Sequence, residues 1–73
     1  MTIDEISRRY SAQPFVAFVM HLADGRAVPV LRQEFLARDP QGRTVSVYQP
    51  DGTLTIVDVQ RVTDLELKAD NQG

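Results

Sequence analysis

The residues able to do chemistry are few and dispersed along the chain. There is one histidine, His21, no cysteine, and ten acidic residues against eight basic ones. A general base needs a nucleophile and an orienting group beside it. The run Phe18-Val19-Met20-His21-Leu22 supplies neither, so His21 reads as a structural histidine on a strand. Asp24, Asp51 and Asp58 are candidate acids. The first two stand directly before a glycine, where aspartate shapes a turn by bonding to nearby backbone. Without cysteine, and with a single imidazole, no thiolate site or zinc cage can form. No nucleophile elbow, phosphate-cradling glycine loop, metal-ligand spacing or dinucleotide fingerprint is present. The expectation is a non-catalytic protein with no cofactor.

Binding is the remaining chemistry. Seven of the eight cations are arginine, at positions 8, 9, 26, 32, 38, 43 and 61, and arginine suits bidentate and stacked contacts. Their spread along the chain reads as solvated surface. The net charge of −2 argues against strong binding of a phosphate backbone, which needs clustered cations. Arg8 and Arg9 beside Tyr10 form a candidate anion patch, although a packed Tyr10 with solvent-facing arginines is the plainer reading. Phe15 and Phe18 read as core aromatics. Arg61, Arg8, Arg9 and Tyr48, the aromatic expected to stay exposed for stacking, are the candidate RNA or anion contacts.

The elements that must position these residues follow from periodicity. Thr2 and Glu5 have the spacing of a capping box, and Ile3, Ile6 and Tyr10 recur at helical spacing. Pro14 closes the segment, so a helix is predicted over residues 3–12. It is too short to stand alone and must dock its apolar stripe. From Phe15, alternation places Val16, Phe18, Met20 and Leu22 on one face and Phe15, Ala17, Val19 and His21 on the other. Ala23-Asp24-Gly25-Arg26 is a hairpin turn. A second strand over 27–32 carries Pro29, which places it at a sheet edge or bulge. Residues 33–38 form a short third segment. Asp39-Pro40-Gln41-Gly42 and Pro50-Asp51-Gly52 are turns bounding strands over 43–49 and 53–57. An irregular link over 58–61 leads to a last strand over 62–67.

Seventy-three residues make one small domain, burying roughly 60% of its unfolded surface. The expected domain spans 1–67, with a polar tail over 68–73. A flat sheet this small leaves exposed edges, and curling removes them. The predicted architecture is therefore mainly β with one helix: an N-terminal α-helix followed by a small five-stranded antiparallel SH3-like barrel. Its core candidates are Val16, Phe18, Met20, Leu22, Val28, Val30, Val45, Val47, Leu54, Ile56 and Leu65. No run is apolar enough for a membrane span, and the acidic start lacks the basic segment of a signal peptide. The expectation is a cytoplasmic protein.

Two resemblances accompany this reading. Phe18 to Arg26 with its Asp-Gly turn, Phe35, and the stretch from Asp58 to Leu65 resemble the Sm/Hfq family pattern. That resemblance implies a helix before a bent five-stranded barrel, and RNA-binding rings. The family holds bases with a loop after the second strand and the link before the last. Here the first loop lacks its Asp-x-x-x-Asn pattern. The second, Asp58-Val59-Gln60-Arg61, lacks Arg-Gly and Lys-His, and only Arg61 stands at a nucleotide-contacting position. The chain is more similar to small bacterial proteins of about this length that share Gln13-Pro14-Phe15, Leu22-Ala23-Asp24-Gly25-Arg26, Glu34-Phe35, Val47-Tyr48 and Val62-Thr63-Asp64-Leu65-Glu66. That likeness implies no activity. The expected function is a non-catalytic interaction or structural module. Its expected partner is protein, including a second copy, because both faces of 15–22 are largely apolar and an uncovered apolar patch is commonly a contact site. An RNA-binding ring and an accessory subunit of a larger enzyme are the alternatives.

Overall fold

The structure is a computed structural model describing residues 2–68; of the expected polar tail only Lys68 lies within the described residues. Helix α1 (Ile3–Tyr10) starts at the expected capping box. The Thr2 hydroxyl accepts from the Glu5 N–H, and the Glu5 carboxylate accepts from the Thr2 N–H at 3.1 Å. Its stripe docks as its spacing demands: Ile6 is fully buried, with Ile3 and Tyr10 packed against the core. The helix stops at Tyr10, two residues short of the predicted end.

Six strands follow: β1 (Phe18–Leu22), β2 (Ala27–Val30), β3 (Leu36–Arg38), β4 (Thr44–Tyr48), β5 (Leu54–Asp58) and β6 (Val62–Leu67). They form two separate antiparallel sheets, in the orders β2-β1-β6 and β3-β4-β5. The five-stranded SH3-like or Sm-like barrel expected from sequence is therefore wrong. The reason lies at the two crossings between sheets. After β2 the chain makes a single 3-10 turn (Gln33–Phe35) before β3, and after β5 a second one (Val59–Arg61) before β6. Each turn interrupts the hydrogen-bond ladder where a closed barrel needs a continuous, bent strand.

Both sheets nonetheless contribute to one core. Phe18, Met20, Leu22, Val28 and Val30 of the first meet Leu36, Val45, Val47 and Val57 of the second, with Ile6, Val59 and Val62 filling between. No polar or charged residue is buried among the described residues. The turns behave as their residues require: Gly25 and Gly42 take φ of 93° and 73°, values that L side chains rarely adopt.

Three core expectations fail. Val16 is exposed and precedes β1. Leu54 and Ile56 are 49% and 63% exposed, while Val57 is buried. The β4–β5 register explains this. Val45 pairs with Val57 and Val47 with Thr55, and partners across a ladder share a face. The inward positions of β4 therefore carry Thr55 and Val57 inward and turn Leu54 and Ile56 outward.

Candidate functional site

Four of the aspartates are engaged in local structure. Asp24, Asp39, Asp51 and Asp58 each accept from the backbone N–H two residues ahead, of Arg26, Gln41, Thr53 and Gln60. These are turn-forming contacts that the Asp-x-x sequences favour. The Arg26 N–H, reinforced by its guanidinium, holds the Asp24 carboxyl below the usual carboxylate range. The Thr53 hydroxyl and then its N–H do the same for Asp51, and the Thr2 N–H and hydroxyl for Glu5. In each case hydrogen bonding favours the charged form. His21 has a partner that its sequence neighbourhood hid: its Nε2 donates to Glu66 of β6 at 2.7 Å, both groups being open to solvent.

The four predicted contact residues lie on three different elements. Arg8 and Arg9, on the last turn of α1, border a shallow depression with Glu5, Thr63, Asp64 and Leu65. Two carboxylates thus share the arginines' surroundings. Arg61 lies in the second 3-10 turn, where its carbonyl accepts from the Ala23 N–H, and its charge acts on Asp24. Tyr48 lies on β4, half exposed, opposite Leu54. A further arginine was not singled out by its sequence context: Arg38 donates to the Ser7 hydroxyl at 2.8 Å and lies 5.4 Å from the Tyr10 ring centroid. Together with the hydrogen bond from the Gln33 amide to the Tyr10 carbonyl, it ties α1 to β3. This cluster holds the helix in place and leaves Arg38 engaged.

A different surface emerges on the outer side of the second sheet. Tyr48, Leu54 and Ile56 are 53%, 49% and 63% exposed. Their cross-strand neighbours there are Ser46, opposite Ile56, and Ala37, opposite Ser46. No charged residue stands among these five. Asp58, opposite Thr44, is the charged residue of β5 on this face and stands at its end; large apolar groups gathered on a sheet face are suited to a contact with another protein surface. Tyr48 was legible as an exposed aromatic; Leu54 and Ile56 were not, because alternation alone leaves open which half of a strand faces inward. Among the described residues no helix is long and apolar enough to cross a membrane. Comparison with family models, with curated proteins and with solved structures finds no match to this chain.

Proposed function

We propose that this protein is a non-catalytic interaction module that associates with a second copy of itself through β5, whose outward side chains are apolar. The observation that carries the reading is the exposure of Tyr48, Leu54 and Ile56 together on one sheet face, with Asp58 at its far end as the charged residue of β5 there. Leu54 and Ile56 are about half exposed, so association can recover up to roughly half of the 1.5–3 kcal/mol that full burial of such a side chain is worth. The ionisable groups support the same reading: the aspartates serve their turns, and Arg8 and Arg9 share their depression with Glu5 and Asp64. Light scattering across about 1–500 μM protein tests it. The expected result is a mass rising from monomer to dimer, and Leu54→Glu shifts that rise to higher concentration. A monomer throughout refutes the self-association.

A further inference from the structure

We infer that the dimer forms by antiparallel pairing of β5 with β5 of a second copy, centred on Thr55, so that two three-stranded sheets become one of six strands. This rests on the self-association proposed above and names the strand edge that carries it.

The backbone supplies the first argument. Across an antiparallel ladder, residues alternate between turning their N–H and C=O toward the partner and turning them away. The Gln49 N–H donates to the Thr53 carbonyl, and the Val59 N–H to the Arg43 carbonyl. Both pairs continue the β4–β5 register, so Thr55 and Val57 face β4 with their peptide groups. Leu54 and Ile56 then turn theirs to the free edge. Among the described residues, no hydrogen bond from outside the ladder reaches these two. The same residues expose their side chains.

The other three sheet edges are guarded, each by a different device. On β2 the outward residues are Ala27 and Pro29; at the middle of the edge Pro29 has no N–H, and its carbonyl accepts from the Gln49 amide. On β3, only three residues long, the Leu36 N–H is taken by the Gln33 carbonyl. On β6, Asp64 and Glu66 are charged, and Leu65 lies beside the helix residues Arg8 and Arg9. Pro, shortness, charge and a covering element are the usual protections against edge pairing. The stretch Leu54-Thr55-Ile56-Val57 has none of them.

Charge then selects a second copy as the occupant. A two-fold axis sets each residue group against its own kind, so a charged edge repels itself. The β5 edge is neutral from Thr53 to Val57. Centring on Thr55 sets Leu54 opposite Ile56 of the second copy on both sides of the axis, and both pairs are of the outward type that exchange two hydrogen bonds. Asp58 then lies opposite Gly52, away from its own copy. Centring on Ile56 instead sets Asp58 against Leu54, a poorer pair.

Amide exchange measured by NMR on the unmodified protein, with light scattering on Ile56→Lys and Ile56→Pro, tests the pairing. The proline removes only the outward N–H and leaves the β4 ladder intact. The Leu54 and Ile56 amides are expected to exchange about fivefold more slowly at a protein concentration ten times the dissociation constant than at high dilution, while Thr55 and Val57 stay protected at both. Ile56→Lys gives a monomer that melts like the parent, and Ile56→Pro weakens the dimer. A dimer in which the Leu54 and Ile56 amides exchange equally fast at all concentrations overturns the β5 pairing and leaves self-association standing on another surface. A larger ring overturns the two-fold arrangement. A monomer at every concentration removes both the pairing and the self-association beneath it.

Discussion

Replacing Gly42 with alanine probes how tightly the β3–β4 turn is locked to the helix. Gly42 and Gly25 both have positive φ, but they differ in what a new Cβ would meet. At Gly25 nothing lies within 4 Å; at Gly42 the Cβ would sit 3.0 Å from Cγ2 of Ile3 and 3.4 Å from its Cβ. The left-handed backbone costs a non-glycine residue roughly 1–2 kcal/mol at either site, partly offset by the stiffer unfolded chain. Gly25→Ala is therefore expected to destabilise by about 1 kcal/mol. Carbon contacts are optimal at roughly 3.5–4.0 Å, so Gly42→Ala also forces Ile3 to shift. Overpacking costs about 1–3 kcal/mol, and the half-buried Ile3 places this site at the low end. The expected total for Gly42→Ala is about 2 kcal/mol, out of roughly 4–11 kcal/mol for a chain this long. Urea melts followed by far-UV circular dichroism measure both variants, with Ile3→Ala in each background. The penalty of Ile3→Ala is expected to shrink by about 1 kcal/mol when Gly42 is alanine, since the overpacked methyl is gone. Equal losses for Gly25→Ala and Gly42→Ala, with no coupling to Ile3, would refute the contact between turn and helix.

Further expectations concern the β5 register, acid stability and RNA. Val57→Ala destabilises by about 1.5–3 kcal/mol, whereas Ile56→Ser under monomeric conditions changes stability by less than about 0.5 kcal/mol; the reverse order in chemical denaturation would show the strand facing the other way. Glu5, Asp24 and Asp51 have folded-state pKa values held below normal by hydrogen bonds. Their stabilisation is therefore complete above the unfolded carboxylate pKa and declines as pH falls through the depressed folded values. Melting temperature should fall between pH 5 and pH 2 (roughly, the carboxylate range), and Thr53→Val should remove part of that slope by stripping Asp51 of its hydroxyl partner; a profile unchanged by that substitution contradicts the assignment. In fluorescence anisotropy at about 150 mM salt, labelled oligo-U and oligo-A should bind more weakly than micromolar, because Arg8 and Arg9 share their depression with Glu5 and Asp64 and Arg61 lies beside Asp24. Submicromolar binding lost on Arg61→Ala would restore the RNA-binding alternative.

The sequence by itself determined the local structure. The capping box at Thr2 and Glu5, the stripe of Ile3, Ile6 and Tyr10, and the turns at Gly25 and Gly42 are all set by interactions within a few residues. So was the inward face of β1, where the large side chains Phe18, Met20 and Leu22 alternate with His21. What the tertiary structure decided lies beyond that range. Leu54 and Ile56 outweigh Thr55 and Val57 in apolar bulk, yet the Gln49–Thr53 pairing after the Pro50-Asp51-Gly52 turn joins the strands in the register that sends Val57 inward. A one-residue phase inverts every side chain of a strand, and only the partner strand sets that phase. The division into two sheets was likewise settled at Gln33–Phe35 and Val59–Arg61, where 3-10 turns break ladders that a hydrophobic pattern cannot see. Edge status follows from strand order, which joins residues far apart in the chain. The exposed edge of β5, and with it the candidate contact surface, therefore exists only once β3, β4 and β5 are assembled.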